Sequence, residues 1–150
     1  MNPARIILNP ILIPALIAWS LAQILKVPLE FFYTKRWNWS LLLQAGGMPS
    51  SHSALVSAAC LAAGFFMGFD SSEFAISFVL AMVVIYDATG IRRQAGKHAE
   101  IINAMIEDLT TGHPLKTEQL RDVLGHTPLE SLGGTLLGIA VALVTWMIVK

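Results

Sequence analysis

The sequence predicts an all-α integral membrane protein with about four transmembrane helices and interfacial amphipathic segments, and three observations lead there. The chain of 150 residues is 55% hydrophobic and only 13% charged, with a mean hydropathy of +0.62, too apolar for an ordinary soluble domain. Its apolarity is gathered in four stretches, residues 6–25, 53–69, 74–90 and 131–149. A helix needs roughly 17 to 25 such residues to cross the hydrocarbon core, so each suffices. The basic residues are gathered too: eight of ten Lys and Arg fall in two of the three links between the stretches. A soluble bundle is the competing architecture, but four near-continuous apolar runs exceed what one small core covers. The length predicts a single transmembrane domain over residues 1–150.

The first stretch carries Pro10 and Pro14, is long and lacks a small-residue cleavage site, so it reads as a span and not as a cleaved signal. After it, "FFYTKRWNW" mixes Phe31, Phe32, Tyr33, Trp37 and Trp39 with Lys35 and Arg36, which suits a segment at headgroup depth. The second stretch opens with "GGMPSSHSA" and continues through small residues, Ala58 and Ala62 among them. Its Cys60 is the one cysteine, so no disulfide forms within the chain, and it reads as a packing residue. The third stretch holds Asp87, the one formal charge inside the four. An acid there is costly and faces a partner: Lys26 or an arginine on one reading, a neighbouring helix on the other.

Beyond the third stretch, Ile91, Ala95, His98, Ile102, Met105 and Leu109 recur at helical spacing, with charged residues on the other faces. The third helix is therefore expected to run on as an amphipathic one. Gly112 and Pro114, flanking His113, break it before a short helix around residues 118–124. His98 and His113 read as surface residues. The fourth stretch begins at "LGHTPLESLGG" and contains Gly134 and Gly138, a GxxxG pair that lets helices approach closely.

Loop charge orients this bundle. Lys26, Lys35 and Arg36 follow the first stretch and Arg92, Arg93, Lys97, Lys116 and Arg121 follow the third, whereas the short middle link has Asp70 and Glu73 and no base. The positive-inside rule then places both basic links in the cytoplasm and both termini outside, across a cell (inner) membrane. The asymmetry either sets topology alone or also serves an anionic partner at one face. Nothing in it points to nucleic acid. Lys26, the start "PSSH" of the second span, Arg92 and Arg93, and His126 with Glu130 all emerge on that one side.

Each of these has a use for phosphate. A helix start after Pro49 presents N–H groups and a positive dipole end, with Ser50 and Ser51 as hydroxyl donors; either serine equally serves as a simple cap. Arginine matches phosphate oxygens in a fork, and lysine adds a point charge. His52 and His126 supply a proton donor and a nucleophile near neutral pH. Glu130 has two readings: the third residue of a capping box begun by Thr127 and Pro128, or the carboxylate that orients His126. The charges form no path across the bilayer, and neither an HxxxH nor a cysteine pair offers metal-ligand spacing, so a transporter is the weaker class.

At these residues the chain resembles a family. "GGMPSSHSA" is similar to the P-S-G-H motif of the type 2 phosphatidic acid phosphatase superfamily, which includes vanadium-dependent haloperoxidases, and "LGHTPLESLGG" is similar to its last motif. Together with "QILK" and "DATGIRRQAGKHAEIIN", these segments resemble, over roughly residues 5–149, the small divergent membrane proteins grouped as acid phosphatase/haloperoxidase-related. The resemblance implies a phosphatidic-acid-phosphatase-like helical bundle that hydrolyses a lipid phosphate or diphosphate without a metal or other cofactor.

In it His126 would be the nucleophile, Glu130 its orienting partner and His52 the acid. Lys26, Ser50, the N–H of Ser51, Arg92 and Arg93 would hold phosphate. The chain departs from the pattern in three places: Ser51 stands for the usual glycine, Glu130 for aspartate, and Arg36 is the nearest candidate for the arginine after the lysine. The arginine ahead of the nucleophile is Arg121 or Arg93. Four spans in place of six core helices leave the pocket open to completion by a second subunit, a homo-oligomer. The competing class is a non-catalytic scaffold or anionic-lipid binder that keeps the phosphate site.

Overall fold

The computed structural model describes residues 8–43, 46–89, 98, 101–103, 105–106 and 127–150. Among them every regular element is helical: α1 (Leu12–Thr34), a short 3-10 turn (Trp39–Leu42), α2 (Ser51–Met67), α3 (Ser72–Thr89) and α4 (Pro128–Val149). Helices α1, α3 and α4 are long and apolar enough to span a membrane, and α2, with 17 residues, is a shorter apolar helix. His98 and residues 101–103 and 105–106 are helical. The rest of the expected amphipathic extension, and the short helix at 118–124, lie outside the described residues.

The first span differs from its sequence reading. Lys26 marked its end by charge, yet α1 runs on through Lys26 and Pro28 to Thr34. The reason is burial by protein. Lys26 is only 1% exposed, and Gly47 lies against its stem: a Cβ there would stand 3.8 Å from Lys26 Cδ. The helix begins where Asn9 Oδ1 accepts from the N–H groups of Ile11 and Leu12, at 2.9 and 3.0 Å. It stops at Lys35, whose left-handed backbone turns its N–H onto the Phe31 carbonyl at 2.9 Å. Gln23 Nε2 donates to the Leu42 carbonyl at 2.9 Å, tying the 3-10 turn to α1.

Helix α2 is the centre of the bundle, packed against α1, α3 and α4, and ten of its 17 residues are buried. Its serines and alanines explain how so many neighbours fit. Ala54 and Ala58 pack with Ala18 and Ala22 of α1 and Val141 of α4, and on another side Val56 and Cys60 meet Ala81 of α3. Helix α3 touches α4 only lightly.

The tightest approach is between α2 and α4. A Cβ on Gly134 would collide with the Ser50 carbonyl oxygen, and one on Gly138 with that of Ala54. The two glycines therefore let one backbone rest on the other. At the opposite end Phe65 of α2 stacks on Trp146 of α4, centroids 5.0 Å apart. Starts meet starts and ends meet ends, so α2 and α4 run in the same direction. Phe69 closes that end, packing edge-on to Phe65 and Phe74 and covering Gly64.

Because the obstacle at Gly134 and Gly138 is backbone, neither can relax around a side chain. Gly138→Leu and Gly134→Val are expected to destabilise the detergent-solubilised protein by about 1–3 kcal/mol. Gly133, where a Cβ would meet the flexible tip of Met48 at 3.2 Å, is expected to accept alanine within about 0.5 kcal/mol. Thermal unfolding of the three variants checks this contrast.

Candidate functional site

The starts of α2 and α4 are joined by a hydrogen bond from the backbone N–H of Ser50 to the carbonyl of Glu130, 2.9 Å. Each start is capped from its own sequence. Ser50 Oγ accepts from the N–H of Ser53 at 3.3 Å and from Ser53 Oγ at 3.1 Å. Thr127 and Glu130 form the full capping box: Thr127 Oγ1 accepts from the N–H of Glu130 at 3.3 Å, and Glu130 Oε2 from the N–H of Thr127 at 2.9 Å. Pro128 occupies the first turn, where it has no N–H to lose.

Two helix N-termini thus stand side by side, each with a positive dipole end and N–H groups that the helix itself does not use. Around them lie Ser50, Ser51, Ser53 and Ser131, none more than 2% exposed. Lys26 comes to the same place from α1, and the Glu130 carboxylate acts on its charge. Gly47 lies against the lysine stem and has φ +89°, a backbone that side chains rarely adopt. His52, half-buried, is the second residue of α2. A buried lysine, the Glu130 carboxylate, two helix starts and several hydroxyls line one recess, and helix starts beside a lysine are groups that suit an oxyanion.

Of the residues singled out from sequence, Lys26, Ser50, Ser51, His52 and Glu130 therefore sit at one end of the bundle. Asp87 is half-buried in the last turn of α3. Arg36 lies beyond the end of α1, exposed, in a separate polar pocket with Glu30, Thr34, Trp37 and Asn38. Arg92, Arg93, Arg121 and His126 lie outside the described residues. The sequence did not single out Ser53, Ser131 or Gly47. Ser131 follows Glu130 and faces α2 with Gly134 and Gly138; its Oγ is buried with no hydrogen-bond partner among the described residues. Its position one helical turn after Thr127 was the available signal, and a serine in a first turn carries little weight alone.

A family model described as "Divergent PAP2 family" matches residues 7–141. The chain belongs to the divergent PAP2 family. It is also 39% identical over 144 residues to a Bacillus subtilis (strain 168) relative described as "Uncharacterized membrane protein YuiD", a match covering 89% of this chain and 91% of that protein. No solved structure matches it. In this family member the hydrogen bond from Ser50 to Glu130 ties together the start of α2, within "GGMPSSHSA", and the start of α4, within "LGHTPLESLGG".

The Lys26–Glu130 interaction gives a direct test of the recess. Lys26→Met and Glu130→Gln each leave one charge without its counterpart, so each is expected to destabilise the fold, and the double variant by less than their sum. A double-mutant cycle on thermal unfolding should return a coupling between about 0.5 and 3 kcal/mol. Strict additivity would mean that the two charges are independent.

Proposed function

We propose that this protein is a membrane phosphatase acting on a lipid phosphate or diphosphate through a phosphohistidine intermediate. The observation that carries the proposal is the Ser50–Glu130 hydrogen bond, which sets the helix start bearing His52 beside the helix start that His126 immediately precedes in sequence, next to buried Lys26. His126 attacks phosphorus as the bond to the lipid oxygen breaks, and His52 gives that oxygen its proton. Water then attacks phosphorus, passing a proton to His52 as the phosphorus–nitrogen bond breaks and its electron pair returns to His126, which releases phosphate.

Charge on the phosphoryl oxygens is met by Lys26, Ser50, the N–H of Ser51, Arg92 and Arg93. Glu130 orients His126 through the oxygen not given to the capping box. Asp87 and Arg121 are supporting charges, whereas Arg36 lies in a separate pocket. The excess of basic residues in the two links supports a cytoplasmic orientation of this face in a cell (inner) membrane.

A second reading has an observation of its own. Glu130 Oε2 is committed to the cap at Thr127, which favours a structural carboxylate and hence a phosphate or anionic-lipid binder without turnover. Phosphate release from a panel of lipid mono- and diphosphates, measured in detergent with EDTA present, separates the two. On the phosphatase reading, His126→Asn lowers release by on the order of 10³-fold or more, and His52→Asn by about 10²- to 10⁴-fold, with unchanged thermal midpoints. Absence of release from every lipid, while inorganic phosphate still protects the protein from heat, would establish the binder instead.

A further inference from the structure

The end of α1 carries a second site, separate from the recess at Lys26. Lys35 reverses the chain, Phe31 stacks on Trp37 with centroids 4.5 Å apart, and Trp37 stacks on Trp39 at 5.7 Å. The aromatic stack folds the segment back along the helix, so Arg36, Trp37 and Asn38 arrive beside Glu30 and Thr34. Together these five line an open pocket of about 570 Å³. Thr34 Oγ1 fixes its floor, donating to the Glu30 carbonyl at 3.0 Å and accepting from the N–H of Arg36 at 3.3 Å.

Glu30 and Arg36 have opposite charges and line the same pocket, yet among the described residues neither side chain forms an ion pair or hydrogen bond. A carboxylate and a guanidinium held apart across a cavity suit a ligand that carries both signs. The helix end adds negative potential beside the pocket, because the last carbonyls of α1 lack intrahelical partners. Arg36 on the other side offers a fork for phosphate oxygens. Phe32, Tyr33, Trp37 and Trp39 are all exposed around the pocket, the aromatic signature of a segment at headgroup depth.

We propose that this pocket binds the headgroup of a zwitterionic phospholipid with a primary ammonium, its ammonium toward Glu30 and the helix end and its phosphate on Arg36. The carboxylate and the helix carbonyls are hydrogen-bond acceptors, which a primary ammonium satisfies and a quaternary one does not. An anionic headgroup satisfies Arg36 but leaves Glu30 uncompensated. The site stands independently of any phosphatase activity, since Glu30 lies one turn beyond Lys26 on α1, outside the recess.

The test titrates the full chain in detergent with short-chain phosphatidylethanolamine, phosphatidylcholine and phosphatidylglycerol, reading tryptophan fluorescence. The ethanolamine lipid is expected to bind about tenfold more tightly than the other two, the difference of one charge-assisted hydrogen bond. Glu30→Gln should erase that preference while keeping glycerol-lipid affinity, and Arg36→Gln should weaken all three. Unchanged thermal unfolding midpoints in both variants would show that their loss of binding is not loss of fold. Equal affinity for the three lipids, or an unchanged preference in Glu30→Gln, would overturn the assignment.

Discussion

The backbone contact between α2 and α4 is the constraint on which the rest of the structure depends. Gly134 and Gly138 bring the two helices close enough for the Ser50 N–H to reach the Glu130 carbonyl. Membrane helices gain little from excluding lipid, so close packing and backbone hydrogen bonds must supply specificity. Once α2 is fixed on α4, its remaining faces take α1 along Ala54 and Ala58 and α3 along Val56 and Cys60. The same contact sets two helix starts side by side, so packing and electrostatics have one origin.

That origin explains a buried lysine inside a span. An ammonium in hydrocarbon is expensive and persists only with compensation. Lys26 has Glu130 near enough to act on its charge, Gly47 against its stem, and serines around it. The helix starts add positive potential to the same recess, so a carboxylate alone does not balance it. An oxyanion is the ligand that the proposed function would bring to this recess.

Much of the fold was legible because apolar runs declare themselves by composition: α2, α3 and α4 fall where the sequence placed them, α1 overlaps its stretch, and Gly134 with Gly138 marked a close contact. The end of α1 was not legible. A lysine reads as a span boundary unless a glycine from another segment is known to cover it. At the site, "PSSH" and "HTPLE" were visible as helix starts, and Thr127 with Glu130 does form the capping box. That Glu130 also acts on Lys26, and that Ser53 and Ser131 join the recess, depends on the rotation of α2 against α4, which no local pattern encodes. The opposite charges of Glu30 and Arg36 were likewise visible as letters, but their shared pocket comes from the Phe31–Trp37 stack.

The central claim is that the junction of α2, α4 and Lys26 is an oxyanion site, and a titration with inorganic phosphate followed by thermal unfolding tests it most directly. In detergent and EDTA, the wild-type midpoint should rise with phosphate, by the equivalent of about 2.7 kcal/mol at a hundred times the dissociation constant. The rise should shrink with added salt and vanish in the Lys26→Met, Glu130→Gln double variant. No rise at any phosphate concentration, or an equal rise in that variant, would contradict the account.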